Sequence, residues 1–139
     1  MKPPGDLVEA AKAAMARAHA PYSKFRVGAA LRTASGRIFA GCNVENASLG
    51  LTICAERVAA CSAVAAGERE FASIAIVTSR GRPAAPCGAC RQFLAEFSEN
   101  LEVWMGAKRA TLRQLLPGAF RGRDLRTQRR NRKSRTSLI

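Results

Sequence analysis

Two short stretches, Cys54-Ala55-Glu56-Arg57 and Pro86-Cys87-Gly88-Ala89-Cys90, bring together the residue types best suited to chemistry in this chain. Cys87-x-x-Cys90 alone suits a tetrahedral zinc ion or a redox dithiol. Cys54 decides between them, because a third thiol at the start of a helix, where peptide N–H groups and the dipole favour thiolate, makes a three-sulfur metal site. A structural zinc ordinarily takes a fourth protein ligand. Cys61 lies two helical turns beyond Cys54, ~10 Å along the axis. Cys42 falls in a strand as a small hydrophobe. His19, the single histidine, ends a helix, where a charge-partner role is the commoner one. The fourth position is therefore expected to be open to water, which describes a catalytic zinc. Glu56, two residues after Cys54, is placed to face that water: zinc lowers the pKa of water to ~7, and a nearby carboxylate can take the proton and pass it on. The bland reading of Glu56, an acid at the positive end of a helix dipole, loses weight beside three thiols. Three thiolates on one Zn²⁺ leave a net charge of −1. Arg57 and Arg91, each following a key residue, are candidates to hydrogen-bond sulfur and offset it. Each has an equally ordinary reading as a solvated helix residue, and Gln92 is a weaker candidate for the same work.

These residues need elements to hold them. Leu7, Val8, Ala11, Ala14, Met15 and Ala18 recur at helical spacing, with Asp6 as N-cap, which predicts a helix over 7–19 ended by Pro21. Residues 27–31 and 38–42 read as a hairpin joined by Ala34-Ser35-Gly36. Gly28, Ala29 and Ala30 are small enough that a helix or a ligand must approach closely there, a helix being the commoner case. A helix opening at Cys54 runs to about 66 before Gly67, followed by a strand over 73–78 and a helix from 88 to about 97. A strand over 101–105 and a short helix around Leu112, Leu115 and Leu116 complete the series. This alternation predicts an α/β fold: a mixed central sheet in a three-layer α/β/α arrangement, parallel where a helix crosses over between strands.

At 139 residues, 47% of them hydrophobic, the chain has the size of one domain with one core. No apolar run reaches the ~18 residues that span a bilayer, and the N-terminus lacks the apolar core of a signal peptide, so a soluble, cytoplasmic protein with no membrane partner is expected. Five cysteines, an odd number in a chain with ordinary core-forming segments, favour metal or thiol chemistry over disulfides. The net charge of +13 is unevenly spread. Residues 121–139 hold eight of the 23 basic residues and only Asp124 as an acid, which assigns +7 to them and +6 to residues 1–120.

Longer strings carry a resemblance. Pro21-Tyr22-Ser23-Lys24-Phe25-x-Val27-Gly28-Ala29-Ala30-Leu31, Gly41-Cys42-Asn43-Val44-Glu45-Asn46-Ala47, Cys54-Ala55-Glu56-Arg57, Pro86-Cys87-Gly88-Ala89-Cys90-Arg91-Gln92 and Leu115-Leu116-Pro117-Gly118-Ala119-Phe120 together resemble the small homotetrameric zinc-dependent cytidine deaminases over residues 7–120. The resemblance implies the cytidine deaminase-like fold and one Zn²⁺ per subunit on Cys54, Cys87 and Cys90. It implies hydrolytic deamination of cytidine and deoxycytidine to uridine and deoxyuridine in pyrimidine salvage. Glu56 would be the catalytic residue, protonating N3 and then the departing amine. Asn43 and Glu45 would hydrogen-bond the ribose, Phe25 would stack on the base, and the Ala55 backbone would contact the base edge. Phe120 would help close a site shared between subunits, or else serve as a core anchor.

The chain departs from that pattern in three places. Leu49 stands where members often have tyrosine, at a position that can join a subunit interface. The segment 104–111 looks shortened, which puts a last sheet strand in doubt. The basic extension 121–139 is expected to be a solvated, disordered tail outside a deaminase domain of residues 1–120. Polyanion attachment by that tail ranks second, since it carries no aromatics to stack bases, and nucleic acid is expected as a partner only through it. The rival functions are a polynucleotide cytosine deaminase, a blasticidin-type deaminase, and a non-catalytic zinc-stabilised module that binds nucleic acid.

Overall fold

The computed structural model describes residues 1–125. Helix α1 spans Gly5–Met15, and strands β1 (Val27–Thr33) and β2 (Ile38–Cys42) form the expected hairpin. Helix α2 (Ala55–Ala65) follows, then β3 (Phe71–Thr78), α3 (Gly88–Ala95), β4 (Glu102–Met105), β5 (Lys108–Thr111) and a single turn of helix, α4 (Leu112–Leu115). The strands lie in the order β2-β1-β3-β4-β5. Among the described strands, β3 and β4, linked by the crossover through α3, run parallel, and the other neighbouring pairs are antiparallel.

Two elements depart from the sequence reading. Helix α1 stops at Met15, four residues before His19. Its end tightens through bonds from Arg17 N–H to Ala14 O and from Ala18 N–H to Met15 O, and His19 then joins Val44 in a bridge, donating to the Asn43 carbonyl at 3.0 Å. The loop competes successfully for the backbone groups that a longer helix would use. Asp6 lies inside the helix rather than capping it: its carboxylate accepts the Leu7 N–H at 2.8 Å and pairs with Arg32 at 2.7 Å. The second departure is β5, whose existence the short 104–111 segment put in doubt. It pairs with β4 from Met105↔Lys108 to Glu102↔Thr111. Gly106, with φ of +63°, takes the first position of a two-residue connection, where a tight hairpin turn needs glycine. So short a turn leaves enough chain for the strand.

Glycine also sets the spacing between layers. A Cβ on Gly28 would come within 1.9 Å of the Ala11 carbonyl oxygen of α1. A Cβ on Gly41 would lie 2.5 Å from the Ala59 nitrogen and 2.6 Å from the Ala55 oxygen of α2. The close neighbour of Gly28 is thus a helix and not a ligand. The pairing Ala29↔Gly41 beside Gly28↔Cys42 puts these two glycines on opposite faces of the sheet. Leu7, Ala11, Ala30, Ala75 and Trp104 fill the α1 face. Leu31, Ile74, Ile76, Leu94, Leu101, Val103 and Leu112 fill the other, beneath α2 and α3, with the Phe71 and Phe97 rings 4.7 Å apart. Each fully buried leucine or isoleucine contributes about 1.5–3 kcal/mol relative to exposure.

Thr111 caps α4 in a reciprocal box with Gln114. The first residue of the expected extension touches the domain. Arg121 reaches the Ala95 carbonyl and pairs with Glu99 at 2.8 Å, and residues 122–125 form a helical turn. The rest of the expected extension, residues 126–139, lies outside the described residues. Among the described residues no helix is long and apolar enough to cross a membrane.

Candidate active site and metal centre

Sheet register brings the candidate residues to one edge. Val27 pairs with Thr78 and Gly28 with Cys42, so the start of β1, the end of β2 and the end of β3 meet there. The chain leaves β2 for α2 and β3 for α3 from that edge, and both helices begin on a cysteine. Cys54 is the N-cap of α2 and Cys87 the N-cap of α3. Helix spacing brings Cys90 round to the same point: its backbone N–H donates to the Cys87 sulfur at 3.5 Å.

The three Sγ atoms lie within 4.8 Å of one another. Zinc–sulfur bonds of ~2.3 Å in tetrahedral geometry place sulfurs ~3.8 Å apart, and Cys54 Sγ and Cys87 Sγ stand 3.8 Å apart. The donor set therefore fits zinc. The surroundings of Cys54 favour its thiolate form. Hydrogen bonds from the Cys90 thiol first, then from Arg57 and Cys87, bring its pKa down to about 5 against the cost of burial. Cys90 is pushed in the opposite direction, by the bond it donates to Cys54, by burial and by the charge of Glu56. Metal binding would displace its proton.

Glu56 lies in the first turn of α2, only 5% exposed, with Oε2 3.8 Å from Cys90 Sγ. Burial chiefly, and the Cys54 charge with it, raise its pKa, which equips the carboxyl to hold a proton. Arg57 Nη2 donates to Cys54 Sγ at 3.4 Å, as the charge argument requires. Its Nε is buried with no hydrogen-bond partner among the described residues, so this guanidinium keeps unused donor capacity.

Arg91 differs from the expectation. Its Nε donates to the Pro86 carbonyl at 2.8 Å and its Nη1 to the Leu115 carbonyl at 2.7 Å, so it braces the cysteine loop against the segment after α4 rather than touching sulfur. Gln92 likewise donates to the Phe120 carbonyl at 2.8 Å. The planar fork of arginine matches two divergent carbonyls, and the sequence offered no sign that Leu115 would be near.

A second group of side chains forms beside the cysteines. Asn43, 8% exposed, receives the Val27 N–H on Oδ1 and donates from Nδ2 to the Phe25 carbonyl, both at 2.8 Å. Glu45 accepts the Tyr22 and Ser23 N–H groups on Oε1, and the Ser23 hydroxyl on Oε2. The Ser23 hydroxyl is the largest cause of the lowered Glu45 pKa, so the group stays an anion. Ser23, assigned no role of its own above, also accepts the Phe25 N–H at 3.0 Å; a serine two residues before a backbone donor is the signal that marks it. Asn43 and Glu45 thus brace the Phe25 loop, whatever else they bind. Ala55 is fully buried at the first residue of α2, next to Cys54. Phe120 is 54% exposed and so is no core anchor.

This arrangement agrees with what known proteins look like. Residues 1–106 match the family model for the cytidine and deoxycytidylate deaminase zinc-binding region. A cytidine deaminase of Sporosarcina psychrophila is 44% identical over 125 residues, covering 86% of this chain and 92% of that protein. The crystal structure of a cytidine deaminase from Burkholderia pseudomallei is 53% identical with a TM-score of 0.78, covering 83% of this chain and 97% of that one. That of the Mycobacterium tuberculosis enzyme is 41% identical, also at 0.78, covering 83% and 94%. With three sulfurs at zinc spacing, a buried acid beside them and these likenesses over most of its length, the chain belongs to the cytidine and deoxycytidylate deaminase zinc-binding family.

Proposed function

We propose that the protein hydrolyses cytidine and deoxycytidine to uridine and deoxyuridine with release of ammonia. The observation that carries this reading is the buried Glu56 carboxyl 3.8 Å from one sulfur of a three-cysteine cluster, in a chain whose relatives are named cytidine deaminases. Zinc held by Cys54, Cys87 and Cys90 would supply acidification of a water molecule at neutral pH. The protein's own residues do the rest. Glu56, its pKa raised by burial, takes one proton from the attacking water and gives it to N3 of the pyrimidine as the water oxygen bonds to C4, then carries that oxygen's second proton to the amine as the C4–N bond breaks, leaving the C4 carbonyl and ammonia. Arg57 offsets the negative charge of the sulfurs. The Phe25 ring stacks on the base and the Ala55 backbone meets its edge. Asn43 and Glu45 reach the ribose through the capacity left on Asn43 Nδ2 and Oδ1 and on the Glu45 carboxylate.

Glu56→Gln is the test. Turnover of cytidine, followed by its absorbance change, is expected to fall ~10²–10⁴-fold, the range of general acid–base catalysis, with zinc content and fold unchanged. An unaltered rate would remove Glu56 from the mechanism. The same variant separates an enzyme from a zinc-stabilised binding module, which has no turnover to lose. We place the protein in pyrimidine salvage in the cytoplasm, with residues 1–120 as the deaminase domain.

Self-association as a homotetramer is supported by apolar side chains left in solvent near the site: Leu49 at 72%, Leu51 at 66%, Phe120 at 54%, Ile53 at 43% and Val44 at 41% exposure. Phe120, projecting from its own subunit, is available to a neighbour's site. No observation favours the polynucleotide reading. Asn43 and Glu45 form a polar wall suited to a single nucleoside, and a comparison of cytidine with a single-stranded oligonucleotide as substrate decides between them.

A further inference from the structure

The antiparallel register of β1 and β3 does not stop where the strands do. Val27 opposes Thr78, the last pair in the ladder. One step further out, Arg26 N–H donates to Ser79 Oγ at 3.1 Å and Ser79 N–H to the Arg26 carbonyl at 2.9 Å. The next step places residue 80 against residue 25, and there the Arg80 guanidinium lies 5.2 Å from the centroid of the Phe25 ring. A turn closes immediately afterwards, with Gly81 N–H donating to the Thr78 carbonyl, Gly81 at φ of +64° and the Thr78 hydroxyl bonded to the Arg82 carbonyl. The backbone on both sides of Arg80 is therefore fixed, which sets its Cα beside Phe25, and its guanidinium lies over the ring.

Phe25 is held equally firmly at its backbone, by Ser23 at the N–H and by Asn43 at the carbonyl, but those bonds leave its χ angles free. The ring is only half-buried, and its aromatic neighbours do not fix it: the close ring pairs among the described residues are Phe71–Phe97 and Phe93–Phe97. Arg80 has no carboxylate partner among the described residues to draw it elsewhere. A cation over one ring face restricts the ring's rotation and leaves the opposite face for a flat, uncharged aromatic ligand.

We infer that Arg80 is a positioning residue for the substrate base: it holds the Phe25 ring in the plane on which the pyrimidine stacks. This rests on the stacking role given to Phe25 above. Because Arg80 acts through the ring and not on the reacting atoms, it affects substrate binding and leaves the chemical step alone.

The test is a double-mutant cycle on the zinc-loaded enzyme with cytidine, using Arg80→Ala, Arg80→Lys, Phe25→Leu and the Arg80→Ala/Phe25→Leu pair. Arg80→Ala is expected to raise KM about two- to five-fold, the range of a partly exposed cation–π contact, with kcat unchanged. Arg80→Lys, which keeps a cation, should recover part of the loss, and the double variant should show the KM of Phe25→Leu alone. A loss in kcat, a KM unchanged by Arg80→Ala, or an Arg80 effect that persists in the Phe25→Leu background would each overturn the inference while leaving the Phe25 reading intact. A KM unchanged by Phe25→Leu would overturn that reading and the inference with it.

Discussion

The N-termini of α2 and α3 begin alike, each with a cysteine N-cap and an arginine a few residues on, yet they do different work. Helix α3 contributes two of the three sulfurs, and its Arg91 is committed to the carbonyls of Pro86 and Leu115. Helix α2 contributes one sulfur, the buried Glu56, and an arginine that points at sulfur. The α3 end is a brace, and the α2 end carries the acid and the sulfur-facing arginine on which the proposed reaction relies. Identical residue types are put to opposite uses because the Pro86 carbonyl and that of Leu115, at the end of α4, draw Arg91 away, whereas among the described residues Arg57 bonds to Cys54 of the cluster.

Removing a sulfur from either end is the most damaging change. Cys87→Ser or Cys90→Ser should abolish zinc binding, measured by metal analysis, and reduce activity to background; a variant that kept stoichiometric zinc would break the three-sulfur reading. Next in size are the two glycines that set the helix layers. Gly28→Ala and Gly41→Ala should each cost about 1–3 kcal/mol or more in denaturant unfolding, since both insert a Cβ against helix backbone. Only Gly41→Ala presses on α2, and so only it should also lower zinc occupancy.

The arginines sharpen the contrast directly. Arg57→Ala should lower kcat/KM ~10–100-fold, as loss of a group that supports a metal ligand does, with little change in Tm. Arg91→Ala should do the reverse, costing about 1–3 kcal/mol of stability by leaving carbonyls unpaired while sparing most activity. Equal effects from the two would erase the distinction.

The smallest effect lies far from both ends. The Arg32 guanidinium beside Asp6, foremost by its hydrogen bond, lowers the Asp6 pKa in the folded state. A depressed carboxylate pKa contributes stability above its unfolded value, and that stability is lost as pH falls through the folded value. Asp6→Asn should therefore flatten the acid side of the stability–pH curve slightly, near pH 4 and below, without altering zinc content.

Residue type and spacing by themselves marked the three candidate zinc ligands, the candidate acid, the alternation of strands and helices and the family resemblance. The residue types and their spacing within each stretch are local, where chain geometry is nearly fixed; the meeting of Cys54 with Cys87, 33 residues on, is long-range and follows from sheet register. Cys87 and Cys90, before and within the first turn of one helix, must converge, and Glu56 must lie beside Cys54 at the start of the other. Tertiary structure alone decided which arginine meets sulfur, because that depended on Leu115 arriving beside α3 from 24 residues away. It decided that α1 ends at Met15, since His19 had backbone partners 24 and 26 residues ahead, at Asn43 and Glu45. It decided that Phe25 faces Arg80, because that pairing follows from the register of two strands whose relative offset no local spacing reveals. Ligand types are written in the chain locally; the partners that aim and support them come from long-range register and packing.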